Sequence, residues 1–82
     1  FDFGWFDFLF EINLSYNRIR FIKEYHFKRN FNLRYLNLSH NLIFSIDFYA
    51  LDLKLNFLDL SFNELNQVFY MGIYEKLYIN HN

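Results

Sequence analysis

Histidine and serine are the side chains of this 82-residue chain that could support metal binding or nucleophilic catalysis. Ser39 and His40 are adjacent, but a catalytic serine and its base must meet in space beside a third, orienting group, and adjacency alone does not provide that geometry. The sequence has no His-x-x-x-His pair and no glycine-rich phosphate loop. Cysteine is absent, which excludes thiol chemistry and cysteine-ligated metals. We therefore predict that the chain is not an enzyme and that it uses no cofactor.

Two asparagines lie in N-glycosylation sequons, Asn13-Leu-Ser15 and Asn37-Leu-Ser39. Each would accept a glycan if the chain passes through the secretory pathway. The related triplet Asp59-Leu-Ser61 occupies a similar place later in the chain, so the sequons could equally be a by-product of repetition. Asn13 and Asn37 are accordingly candidate glycosylation sites, and the alternative is that the repeat alone produces both sequons.

These serines and histidines recur because the whole chain repeats one pattern. Apolar residues occupy the first, fourth and sixth positions of a nine-residue unit, and asparagine occupies the ninth. The unit begins at Leu9, Leu33, Leu55 and Tyr74, so the starts are 24, 22 and 19 residues apart. A fixed period of this size indicates a solenoid of stacked repeats. We divide the chain, as one segment, into a preceding tail (1–8), three repeats (9–32, 33–54 and 55–73) and a partial fourth (74–82).

The centre of each unit alternates apolar and variable residues, which is the pattern of a half-buried strand. Strands are therefore predicted near residues 11–14, 35–38, 57–60 and 76–79. Stacking the repeats would make these strands a parallel sheet. The apolar residues would point into the solenoid, and the residues between them would point to the opposite face.

The units Asn-Leu-Ser-Tyr-Asn, Asn-Leu-Ser-His-Asn and Asp-Leu-Ser-Phe-Asn resemble the leucine-rich repeat family, and most closely its extracellular, Toll-like receptor subclass. Phe27, five residues after Ile22, resembles the phenylalanine of that subclass, and Leu51 takes its place in the second repeat. The resemblance implies an α/β repeat solenoid, a horseshoe with a concave parallel sheet and irregular or short helical convex arms. It also implies that the asparagines at the ends of the units form a structural ladder: Asn17, Asn41, Asn63 and Asn82.

The resemblance further implies a non-catalytic recognition module that binds a protein ligand or co-receptor on its concave face. We expect an extracellular or cell-surface location, as part of a receptor or secreted protein. The alternatives are a cytoplasmic scaffold, or spacer repeats whose ligand binds elsewhere in the parent protein. Exposed aromatic groups are common anchors of protein interfaces. The predicted partner-binding residues form two columns and a rim: Glu11, Tyr35, Phe57 and Lys76; Asn13, Asn37, Asp59 and Tyr78; Tyr16, His40 and Phe62, with His81 next in the rim.

Charge adds little to this assignment, because the formal net charge is only -1. A basic run lies between residues 18 and 34, off the concave face, and we interpret it as a solvated edge. No nucleic-acid motif accompanies it, so a nucleic-acid partner is not expected. Every apolar run is interrupted by charge, so no membrane span is predicted in this segment. The two open ends of the solenoid predict poor folding in isolation or self-association.

Overall fold

A computed structural model describes residues 10–27, 32–65 and 73–82, and the strands follow the repeat. Each described repeat contributes one strand to a main sheet, and the first two contribute a second, very short strand on their return arms. In chain order the strands are β1 (Glu11–Asn13), β2 (Phe21–Ile22), β3 (Tyr35–Asn37), β4 (Ser45–Ile46), β5 (Lys54–Asp59) and β6 (Ile73–Tyr78).

The main sheet is parallel and has the order β1-β3-β5-β6. Its register aligns equivalent positions of the repeats, since Leu36 on β3 lies opposite both Ile12 on β1 and Leu58 on β5. The parallel sheet therefore agrees with the one predicted from the repeat. β5 and β6 begin three residues earlier than predicted, whereas β1 and β3 begin where the alternation begins.

The core lies between the main sheet and the return arms. Ile12, Leu36 and Leu58 point inward from the sheet and are buried. Their neighbours along the strands are half-buried or exposed, which is the period-2 alternation of a sheet with one covered face. Phe27 and Leu51, from equivalent positions of the first two return arms, are both completely buried. A ring and an aliphatic side chain thus fill corresponding places in successive repeats.

Asp47 of the second repeat holds the return arm of the first. Its carboxylate accepts a hydrogen bond from the Glu24 backbone N–H at 3.1 Å and lies 3.8 Å from the Lys23 ammonium. The Asp47 N–H donates to the Ile22 carbonyl at 2.8 Å. The Lys23 N–H donates to His26 Nδ1 at 2.9 Å, across the short 3-10 helix Glu24–His26. These bonds satisfy backbone groups at the start of the turn that delivers Phe27 to the core.

The return arms are irregular with one short helical turn, as the fold class implied. Within the described ranges the single 3-10 turn is the only helix, and no α-helix occurs. The small parallel sheet of β2 and β4 was not predicted from the sequence. Its strands are two residues long, too short for a period to be recognised. The predicted tail at residues 1–8 lies outside the described residues, as do Lys28 and Arg29 of the basic run.

Candidate functional site

Three of the asparagines at the ends of the repeats, Asn41, Asn63 and Asn82, bind the backbone of two repeats at once. The Asn63 side-chain oxygen accepts the Ile43 N–H at 2.9 Å, and its amide donates to the Leu38 carbonyl at 3.0 Å. The same amide donates to the carbonyls of Leu60 and Ser61 in its own repeat. Asn63 therefore satisfies the buried Ile43 N–H and supplies one of two donors to each of three carbonyls.

The same arrangement recurs at the neighbouring repeats with different exposure. Asn41 accepts the Ile19 N–H at 3.1 Å and donates to the Leu14 carbonyl at 3.0 Å. Asn41 and Asn63 are buried, whereas Asn17 and Asn82 are exposed. The four side chains make a ladder whose two interior members are sealed from solvent, so their role is structural.

The serines of the repeat are also bound locally. In the first two repeats the side-chain oxygen of Asn13 or Asn37 accepts both the backbone N–H and the hydroxyl of the serine two residues later, at 3.0 and 2.7 Å. In the third repeat Asp59 Oδ1 accepts the N–H of Ser61 at 2.9 Å. These local hydrogen bonds stabilise the turn after each strand, so the serines have a structural role.

Three aromatic rings lie side by side on the face of the main sheet opposite the core, which we call the open face. Tyr35 and Phe57 are in register on β3 and β5, and their rings stack at a centroid distance of 4.4 Å with planes 5° apart. Phe57 contacts Tyr78 at 5.4 Å in a tilted arrangement. We call Tyr35, Phe57 and Tyr78 the aromatic strip. Glu11 and Lys76, both exposed, lie in register at the two ends of the Tyr35–Phe57 column.

A second row of rings runs along the rim, one residue before each ladder asparagine. Tyr16, His40, Phe62 and His81 stack in that order, with centroid distances of 4.2, 4.3 and 4.4 Å. We call this row the rim stack. All four residues have a positive φ, between 54° and 60°. That backbone region is uncommon for residues other than Gly, Asn, Asp and His, and it costs about 1–3 kcal/mol for a bulky residue such as Tyr16 or Phe62.

The rim stack contains the half-buried His40 and the exposed His81. The Phe62 ring lies between them, with its centroid 4.3 Å from the His40 imidazole and 4.4 Å from the His81 imidazole. A shared metal would need both nitrogens within about 2 Å of the ion. No group of three or more potential metal ligands occurs in the part of the chain that the structure describes.

Comparison with known protein families identifies the repeat. Residues 9–65 match the family model of the leucine rich repeat. The chain belongs to the leucine-rich repeat family. No curated protein and no solved structure matches it. Leucine-rich repeats are generally protein-interaction modules and typically non-catalytic, so the open face of this leucine-rich repeat sheet is a candidate site for protein recognition. Over the described ranges, no helix is long and apolar enough to cross a membrane.

The rim stack of this leucine-rich repeat protein yields a prediction about stability. Phe62→Asn should change the free energy of unfolding by less than about 1 kcal/mol. Removing the ring forfeits two stacked pairs, each worth about 0.5–1.5 kcal/mol. Relief of the positive-φ strain, about 1–3 kcal/mol, offsets most of this loss, because asparagine tolerates that backbone region far better than phenylalanine. Urea denaturation followed by circular dichroism measures the difference.

Phe57→Asn is the matched control, because it makes the same ring-to-amide change at a strand position where no positive φ is relieved. It should cost about 1–2 kcal/mol through the removal of stacking and a lower strand propensity. An equal loss of stability in both variants would show that the backbone of the rim carries no strain.

Sequence reasoning predicted the two columns and the rim of residues, but it did not predict that the rim rings stack. An aromatic or histidine residue directly before every ladder asparagine was the available signal. This signal indicates stacking only if the residues have a positive φ, because that backbone conformation orients successive rings along the stack. A single sequence does not reveal φ.

Proposed function

We propose that this chain is a non-catalytic recognition module of an extracellular or cell-surface leucine-rich-repeat protein of the Toll-like receptor kind. In this proposal the open face is the concave side of a horseshoe, and a protein ligand or co-receptor binds there. The observation that carries the proposal is the aromatic strip, because its rings lie on the solvent side of a sheet whose other side is fully occupied by the core.

Aromatic side chains at such a place suit protein recognition for two physical reasons. They offer a large contact area at a small cost in side-chain entropy, and they are enriched among the residues that dominate binding energy. Stacking against a neighbour pre-orients Tyr35 and Phe57 in the free protein, so little ordering remains to be done on binding. Glu11 and Lys76 at the ends of the column add opposite charges that would orient a partner.

The proposal is tested by photocrosslinking in the protein's native cellular setting. A benzoylphenylalanine at position 57 should crosslink one protein partner, and Tyr35→Ala in the same chain should reduce the yield about tenfold or more, since interface anchors typically contribute over 1–2 kcal/mol. The matched control carries the crosslinker at Phe48, which is exposed on the second return arm away from the open face. Equal crosslinking from both positions, or a yield that Tyr35→Ala leaves unchanged, would refute recognition by the aromatic strip.

The cellular location in this proposal makes a separate prediction about the sequons. When the protein is produced in a eukaryotic secretory host, Asn13 should carry a glycan at higher occupancy than Asn37. Asn13 is exposed, whereas Asn37 is half-buried and lies in register between Asn13 and Asp59. Enzymatic deglycosylation converts each occupied asparagine to aspartate, which peptide mass spectrometry reads directly.

Asn13→Gln should remove the glycan mass, while Asn56→Gln, at an exposed asparagine outside any sequon, should not. Bare asparagine at both sequons would count against the extracellular assignment and favour the intracellular scaffold.

A further inference from the structure

A second surface, on which basic, apolar and acidic residues follow one another, lies beside the asparagine ladder and away from the open face. Arg18, Leu42 and Glu64 directly follow ladder asparagines, and Arg20 and Phe44 lie two positions after Arg18 and Leu42. We call these five residues the lateral strip. Its rows are adjacent, because the Leu42 and Phe44 N–H groups donate to the carbonyls of Ile19 and Arg20, and the Glu64 N–H donates to that of Ile43, each at 2.9 Å.

The lateral strip changes character from one repeat to the next. The first repeat presents two guanidinium groups, the second presents two exposed apolar side chains, and the third presents a carboxylate. Leu42 and Phe44 are 37% and 47% exposed, so they form an apolar surface in contact with solvent. Basic, apolar and acidic groups thus follow one another over two repeat spacings, roughly 10 Å.

Two clefts open on this surface and meet at Arg20. One, of about 250 Å³, is lined by Arg18, Arg20 and the stacked rings of Phe21 and His26. The other, of about 320 Å³, is lined by Arg20, Leu42, Phe44 and Glu64. Each cleft therefore combines a charged rim with an apolar wall, which is the usual makeup of a pocket that receives side chains of a partner.

The charges of the lateral strip are not neutralised by one another or by other described residues. In the described ranges the one ion pair is Lys23–Asp47, which lies on the return arm. Arg20 and Glu64 line the same cleft without approaching within ion-pair distance of each other. Both groups are exposed, and the apolar side chains of Leu42 and Phe44 lie in the row between them.

We propose that the lateral strip binds an extended protein segment of complementary order, with an acidic side chain against Arg18 and Arg20, a bulky apolar side chain against Leu42 and Phe44, and a basic side chain against Glu64. Because successive side chains of an extended segment point to opposite faces, the three contacting residues would occupy alternate positions, with the acidic and basic residues four positions apart. A nucleic acid is disfavoured because Glu64 would repel its phosphates at one end of the strip. This surface is separate from the aromatic strip, and it would serve a partner whether or not the open face does.

The experiment titrates the isotope-labelled chain, whose dispersed amide resonances first establish that it is folded, with a blocked synthetic peptide containing Glu-Ser-Phe-Ser-Lys and follows the amide resonances by NMR. Shifts should concentrate at the rows of Arg18, Leu42 and Glu64 and leave Tyr35 and Phe57 unchanged. Glu64→Lys should weaken binding of this peptide about three- to fivefold, the size expected for one exposed ion pair. The same variant should bind a Glu-Ser-Phe-Ser-Glu peptide more tightly than the unaltered chain does.

The matched control is Glu75→Lys, an identical charge change at an exposed position of β6 outside the lateral strip. It should leave both affinities unchanged. The proposal is overturned if neither peptide shifts the lateral strip at millimolar concentration, or if Glu75→Lys has the same effect as Glu64→Lys. Crosslinking from position 57 would be unaffected by either result, so failure here is distinguishable from failure of recognition at the open face.

Discussion

Asn63→Ala is expected to lower the free energy of unfolding by about 3 kcal/mol. The substitution leaves the buried Ile43 N–H without its acceptor and removes one of the two donors from each of the carbonyls of Leu38, Leu60 and Ser61. A buried backbone group without a partner costs about 1–3 kcal/mol, and the neighbouring groups can recover part of the loss by relaxing. Because domains of this size are typically stable by only about 5–15 kcal/mol, urea denaturation should show a large fall in midpoint.

Asn17→Ala is the matched control for this experiment. Asn17 is exposed, and among the described residues it donates to the Leu14 and Ser15 carbonyls of its own repeat, where water can replace it. The expected loss of stability is therefore about 1 kcal/mol or less.

Asn63→Asp distinguishes the hydrogen bond that the Asn63 side chain accepts from those that it donates. It keeps an acceptor for the Ile43 N–H but turns a carboxylate oxygen toward three carbonyls, so it should also be destabilising. Equal small losses of stability for Asn63→Ala and Asn17→Ala would mean that the ladder does not hold the repeats together.

Phe27→Ala should destabilise the protein by about 3–5 kcal/mol, the largest effect expected for any single substitution discussed here. Phe27 is completely buried, and truncating its ring leaves a cavity at the centre of the first return arm. The Asp47 bonds hold the preceding turn in place, so the arm has limited freedom to collapse into the gap. Thermal or urea unfolding monitored by circular dichroism would measure the fall in stability.

Phe27→Leu tests whether volume, and not the ring, is what the site requires. Leu51 fills the equivalent place in the second repeat and is equally buried, so leucine should cost far less than alanine, about 1 kcal/mol. Phe44→Ala is the matched control on an exposed ring and should change stability by about 0.5 kcal/mol or less. A leucine variant as unstable as the alanine variant would contradict a volume-filling role and point to a specific ring contact.

Much of the main sheet was predictable because its residues obey a short-range rule. Alternation around Ile12, Leu36 and Leu58 placed the strands, and equal offsets in the repeats placed Tyr35 opposite Phe57. The second sheet and the 3-10 turn were not predictable. Their geometry depends on Asp47, which reaches back from the following repeat to Glu24, and such a contact leaves no periodic trace in the sequence.

The sequence by itself determined the repeat, the parallel sheet, the inward and outward faces and the positions of the ladder asparagines, because each follows from spacing along one strand or between repeats. Tertiary structure alone decided which asparagines are buried, how the rings of the rim stack and where the clefts of the lateral strip open. These properties depend on distances between neighbouring repeats and on the positive φ of residues such as Phe62. The difference is physical, since alternation encodes which side of a strand is apolar, whereas stacking and burial arise only when adjacent coils pack.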